Sequence, residues 1–118
     1  MADTIAFDTV LDLCRDQHRR IVLAVLAEEH RSLTLNDLTK SILKYNYRAP
    51  MTEVSREVTT RIRCSLHHVY LPKLASAGVV EYDLERHLVE PTEQFDQLQL
   101  ILSTILEEDP SLEATVEF

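Results

Sequence analysis

The sequence predicts a mainly α-helical fold that carries one small β-hairpin. Three observations point there. Apolar residues recur at three- and four-residue spacing over most of the chain, helix breakers are scarce, and the single glycine, Gly78, lies between a leucine-rich stretch and the β-prone run 79–82. One glycine, four prolines and 45% hydrophobic residues in 118 suit one domain with its own core and leave little room for a β-sandwich or a long linker.

Ile5, Phe7, Val10, Leu11 and Cys14 give a short amphipathic helix over residues 5–14. Asp16 caps a second helix over 17–30, with Ile21, Val22, Val25 and Leu26 on its buried stripe. Thr34, with Asp37 three residues on, reads as a capping box for a third helix whose apolar face is Leu35, Leu38, Ile42 and Leu43. Pro50 disfavours helix at Ala49, so residues 46–52 form a connection. Thr52 or Ser55 caps a long fourth helix over about residues 53–77, with Val58, Ile62, Leu66, Val69 and Tyr70 along one stripe and Glu53 and Glu57 at the positive end of its dipole. Pro72 inside that helix removes one hydrogen bond and crowds the carbonyl of His68, which predicts a kink or a restart.

Gly78 falls just past the last turn, where a left-handed residue lets the chain reverse. Residues 79–82 and 87–90 then form two short strands around the polar turn 83–86. Pro91 stops the hairpin and Thr92 caps a last helix. That helix places Phe95, Leu98, Leu102 and Ile105 at alternating three- and four-residue spacing, and Ile101 and Leu106 widen the stripe. A single small domain is not expected to cover so wide a stripe, so these six residues predict a homodimer interface. The element order is that of a winged helix-turn-helix domain over residues 1–91, followed by a C-terminal helix at 92–109 and an acidic tail at 110–118. In that architecture the helix before the hairpin can enter the DNA major groove and the hairpin is the wing.

Charge is unevenly spread. Twenty acids face twelve bases, only three of them lysine (Lys40, Lys44 and Lys73), for a net charge of −8. Residues 1–29 hold three bases and six acids, residues 30–76 eight bases and three acids, and residues 77–118 one base and eleven acids. A basic middle of net +5 between acidic ends of −3 and −10 can meet nucleic acid, or its arginines can pair with the acidic segments. Arg56, Thr59, Thr60, Arg61, Arg63, His67 and His68 lie on or beside the polar side of the long helix and are the candidate DNA contacts. Arg86 is the wing's one base, between Asp83 and Glu85. Either it reaches a phosphate alone or the wing stays off the DNA. Tyr45, Tyr47 and Arg48 form an aromatic-basic patch that either touches a DNA backbone or packs the connection onto the core.

Cys64 and His68 share a helix face, with His67 beside them, but a metal site would still need His18, His87 or a partner chain to complete its ligands. The alternative is a partly buried cysteine with two groove-facing histidines, and no metal or other cofactor is expected. There is no glycine-rich phosphate loop, nucleophile elbow or placed carboxylate pair, so the sequence predicts no enzyme. No apolar run reaches the roughly 18 residues of a membrane span. Two cysteines and an N-terminus without a basic region or signal-peptide core predict a cytoplasmic protein.

The stretches "HRRIVLAVL" and "SLHHVYLPKLASAGVVEYD" resemble a family of small haloarchaeal winged-helix proteins, presumed transcriptional regulators, over roughly residues 8–90. The resemblance implies a DNA-binding regulator but brings no ligand or operator with it. An acidic, lysine-poor composition agrees with a high-salt cytoplasm. The expected function is DNA binding as a homodimer. The rival is a winged helix that docks a protein partner through its acidic C-terminal helix and binds no DNA.

Overall fold

The computed structural model describes residues 6–48 and 53–113. Helix α1 (Phe7–Leu13) buries Val10 and Leu13, with Cys14 just beyond it, while Phe7 and Leu11 stay exposed. Asp16 caps α2 (Gln17–Glu29), its carboxylate accepting the Arg19 N–H at 3.1 Å. The two arginines that open α2 serve the fold. Arg19 is buried and donates to the carbonyls of Leu13 (3.0 Å) and Asp12 (2.8 Å), satisfying the open C-terminal end of α1. Arg20 donates to the Cys14 carbonyl at 2.7 Å and to the buried Asp109 carboxylate at 2.7 Å, tying α2 to the far end of the chain.

Strand β1 (Leu33–Thr34) leads directly into α3 (Leu35–Ile42). The capping box forms as its spacing implies, Thr34 and Asp37 exchanging two bonds of 3.0 Å. A π turn (Leu43–Tyr47) extends α3 and ends at Arg48, whose φ of 57° is left-handed. The connection around Pro50 and the possible cap Thr52 lie outside the described residues. Ser55 caps α4 (Arg56–Ser65), accepting the Val58 N–H at 3.2 Å.

The expected break at Pro72 takes the form of a second π turn (Leu66–Tyr70), which runs straight into α5 (Leu71–Ser76). Leu71 donates to the carbonyl of Leu66, five residues back, and this wider turn makes room for the proline ring that follows. Gly78 ends α5 at φ 83°. Val79 N–H bonds the Leu74 carbonyl at 3.2 Å and Gly78 N–H that of Ala75 at 3.0 Å, the paired bonds of a Schellman ending.

Strands β2 (Val80–Asp83) and β3 (Leu88–Pro91) form the expected hairpin, with Tyr82 opposite Val89. Asp83 holds the turn by accepting the N–H groups of Glu85 (3.0 Å) and Arg86 (3.1 Å). The hairpin gains a third strand that the sequence reading lacked: β1 pairs antiparallel with β3, giving the order β1-β3-β2. Pro91 is the last residue of β3, so the hairpin ends there as expected, with the proline still paired opposite Val80. It lies beyond the reach of β1, which pairs only with Leu88 and Val89, so its missing N–H takes no bond from the ladder on that side.

Thr92 precedes α6 (Glu93–Glu107) but does not cap it by side chain; its hydroxyl donates to the Gly78 carbonyl at 2.6 Å. The stripe on α6 also needs correction. Phe95, Leu98 and Leu102, expected at a dimer interface, are at most 3% exposed within the single chain. Ile101, Ile105 and Leu106 pack half-buried against the same core. Helices α1 and α2 and strand β3 close over Phe95, Leu98 and Leu102, so the single chain covers that part of the stripe and leaves Ile101, Ile105 and Leu106 half-buried. The first part of the expected tail is a helical turn, α7 (Pro110–Glu113), with Leu112 buried; Val116 and Phe118 lie outside the described residues. The architecture is mainly α-helical with a small three-stranded sheet.

Candidate nucleic-acid interface

The outward stripe of α4 and the π turn after it follows from helix geometry. Arg56, Thr60, Cys64 and His68 recur every four residues and all are exposed, and Arg61 stands beside them. Thr59 does not belong with them. It is buried with Ile62 and Leu66 at the three- and four-residue spacing of the core stripe, and its hydroxyl has no hydrogen-bond partner among the described residues. Its place was legible from the spacing to those two apolar residues, which outranks its polarity.

The alternative in which the arginines are consumed by internal ion pairs can be judged directly. Among the described residues, neither Arg56, Arg61 nor Arg63 has a carboxylate within ion-pair distance. Arg63 donates to the neutral side chain of Asn36 on α3, at 3.1 Å. Other bases are paired: Lys73 meets Asp12 at 2.8 Å, and Arg31 meets Glu29 at 3.1 Å. The hydrogen bond from Lys73, helped by its charge, lowers the Asp12 pKa.

His67 and His68 have different surroundings. His68 is exposed, whereas His67 is half-buried and shares a hydrogen bond of 2.6 Å between its Nδ1 and the Tyr82 hydroxyl. Burial raises the Tyr82 pKa, which keeps the phenol neutral in that bond. The His67 ring also lies edge-on to His68, Tyr82 and His87, with centroids 4.6, 5.7 and 5.6 Å away. This cluster joins the long helix to the hairpin. No group of three or more His, Cys, Asp or Glu among the described residues is arranged to hold a metal ion. Cys64 is exposed on the stripe, and Cys14 is the buried cysteine, with burial raising its pKa.

The hairpin tip carries exposed Arg86 beside exposed Asp83 and Glu85, and exposed Glu81 and Glu90 face each other across its strands. The aromatic-basic patch splits. Tyr45 packs into the core with the Lys44 ammonium 5.5 Å from its ring centroid, while Tyr47 and Arg48 face outward. Behind them, His18 is bracketed by Tyr70 and Asn46, each at 3.2 Å. With Asn46 donating to Nε2, the neutral ring carries its proton on Nδ1, facing the Tyr70 hydroxyl. Burial lowers the His18 pKa, which favours that neutral form.

The charge-block reading missed one further feature. Asn36, Lys40, Lys44 and Arg48 are all exposed and recur at four-residue intervals along α3 and its π turn. The signal was present as spacing, but Lys40 and Lys44 look like ordinary solvated residues until α3 is placed beside α4.

No helix among the described residues is long and apolar enough to cross a membrane. No curated protein and no solved structure matches the chain. Residues 11–90, from within α1 to near the end of β3, match the family described as a domain of unknown function, DUF7344. With that match covering more than half of its length, the chain belongs to the DUF7344 family.

Proposed function

We propose that this protein is a cytoplasmic DNA-binding regulator with a winged helix-turn-helix fold, in which α3 and α4 form the helix-turn-helix and β2 and β3 the wing. The observation that carries the reading is the outward stripe of α4, where Arg56, Thr60, Arg61 and His68 stand exposed with no carboxylate partner among the described residues. Although exposed Glu57 stands one turn from Arg61, these bases form no ion pair, and such a row on an acidic protein is a surface suited to polyanions. Arginine there can fork onto guanine edges or phosphates, and threonine and histidine add weaker bonds. The lysine-poor, acidic composition supports a high-salt cytoplasm of the kind the haloarchaeal resemblance implies. A homodimer reading a palindrome would place half-sites about 10 base pairs apart or a multiple of that. It would form through residues other than Phe95, Leu98 and Leu102, which the core already holds.

One observation favours a second reading. The outward face of α6 carries Leu100, 83% exposed, among Glu93, Asp96 and Glu107, which suits a basic-apolar protein partner. Titration of labelled duplex fragments across a range of potassium salt separates the two, using wild type and the Arg56→Ala/Arg61→Ala double variant. DNA binding that the double variant weakens supports the regulator. Equal binding by both removes α4 from the interface, and no binding by wild type at any salt favours the partner-docking module.

A further inference from the structure

We infer that the phosphate-backbone contact of this protein is the row of cations on α3 and its π turn, Lys40, Lys44 and Arg48, and not the wing. The inference rests on the DNA-binding reading above and specifies which part of the surface holds the duplex. A wing that tracks phosphates needs net positive charge, whereas this one sets Arg86 against Glu81, Asp83, Glu85 and Glu90, all exposed. Whatever neutralises phosphates must lie elsewhere.

The α3 row has the required properties. Its three cations are exposed, and among the described residues none has a carboxylate within ion-pair distance. Two of the chain's three lysines are here; the third, Lys73, is paired with Asp12. Side chains four apart on a helix have Cβ atoms about 5–6 Å apart, so Lys40 and Lys44 stand as neighbouring charges, with Arg48 just beyond the helix end. In a straight α-helix, successive four-residue steps drift around the axis by about 40° each, because a turn takes 3.6 residues. The π turn at Leu43–Tyr47 is wider than an α turn and offsets part of that drift before the helix ends at the left-handed Arg48. Lys44 is steadied over the Tyr45 ring, and Arg48 is fixed by the bond from its N–H to the Leu43 carbonyl.

The helix that carries the row is tied to α4. One turn before Lys40, Asn36 accepts the bond from Arg63 at 3.1 Å, which joins the N-terminal end of α3 to α4. Lysines supply point charges to phosphate oxygens and Arg48 can fork onto one. The division of labour is then backbone contact from α3 and base-edge contact from α4.

The test compares wild type, Lys40→Gln/Lys44→Gln/Arg48→Gln, and Arg56→Ala/Arg61→Ala. Each is titrated with a panel of duplexes at several salt concentrations, with circular dichroism melts confirming that each folds. Three phosphate contacts contribute about 2.7 to the slope of log K against log salt. The triple glutamine variant should therefore lose about that much slope. Its deficit relative to wild type should shrink roughly 40-fold between 50 and 200 mM salt, with the ranking of sequences unchanged. Lys40→Arg/Lys44→Arg should keep the wild-type slope. A triple variant with wild-type slope overturns the inference, and if Arg56→Ala/Arg61→Ala still loses binding, the α4 reading survives it. A triple variant that reorders the preferred sequences also overturns it, because backbone contacts carry no base information. Failure of wild type to bind any duplex removes both.

Discussion

Gly78 offers the sharpest test of how the long helical segment gives way to the sheet. It holds φ at 83°, and a Cβ placed there would meet Oε1 of Gln94 and approach its Cδ to 3.3 Å. Two separable penalties follow for Gly78→Ala. The left-handed backbone costs a residue with a Cβ roughly 1–2 kcal/mol. The clash falls on the far end of a flexible, half-buried side chain, which can rotate away, so its share is small. The expected total for Gly78→Ala is about 1–2 kcal/mol, or roughly 4–8 °C per kcal/mol in melting temperature for a domain near this size. Gly78→Val should cost more because of its branched Cβ, and Gly78→Asn less, because asparagine tolerates this region. Thermal melts of Gly78→Ala, Gln94→Ala and the double variant separate the terms. If the backbone dominates, Gln94→Ala rescues little of the loss. Full rescue would show that the side-chain clash and not the left-handed turn sets the requirement for glycine. Equal tolerance of valine and asparagine would refute the Schellman ending altogether.

Three more outcomes follow from the packing. Leu102→Asp should unfold the chain, because it puts a charge into a site 1% exposed, at a cost of several kcal/mol; a folded variant in circular dichroism would return Leu102 to an interface role. Arg20→Ala should destabilise by about 1.5–3 kcal/mol through loss of a charge-assisted bond to the buried Asp109 carboxylate, and an unchanged melt would remove that tie. His18 sets a pH dependence. Its pKa is lowered below the ordinary 6.5 by burial, so below that pH the unfolded chain binds a proton that the folded chain resists. Stability therefore falls as pH drops through 6.5 towards the lowered folded value. The contribution of Asp12, whose pKa is below 3.8, is lost only at more acid pH, so melts between pH 7 and 5 report His18 separately. His18→Asn should flatten that slope, and an unchanged slope would assign it elsewhere.

The helices were legible because their apolar stripes and caps are local: Asp16, the Thr34–Asp37 box, Ser55 and Gly78 all act where the spacing put them. What escaped the sequence depends on tertiary partners. Two residues, Leu33 and Thr34, have no readable strand period, and β1 exists because β3 offers an open edge. The π turn before Pro72 was visible only as a disturbance of unknown form. The α6 stripe misled because its width was weighed without α1 and α2, which close over Phe95, Leu98 and Leu102. On the candidate surface, the exposure of Arg56, Arg61 and His68 was readable from helical phase, whereas Thr59 was taken by polarity over phase, and the bonds of Arg63 to Asn36 and of His67 to Tyr82 depend on tertiary partners. Whether a base is paired cannot be read from charge blocks. Lys73, Arg31 and Arg56 belong to the same basic block, yet among the described residues Lys73 and Arg31 have a carboxylate within ion-pair distance and Arg56 has none.

The acidic hairpin has a structural role that needs no contact with a phosphate. Strand β3 lies in the centre of the sheet and pairs with β1, which runs into α3 through the Thr34 cap. Leu35, the first residue of α3, donates its N–H to the His87 carbonyl at the hairpin end, at 2.9 Å. On the other side of the sheet, Tyr82 of β2 holds His67 of the long helix at 2.6 Å. The three-stranded sheet is thus bonded at one edge to the start of α3 and at the other to the segment following α4. It braces the two helices that carry the outward cation rows, adding to the direct contact they make through Arg63 and Asn36. A brace of this kind needs no positive charge. If the proposed DNA contact holds, its solvent-facing acids would repel a duplex that strayed from the cation rows and so favour one docking orientation over others.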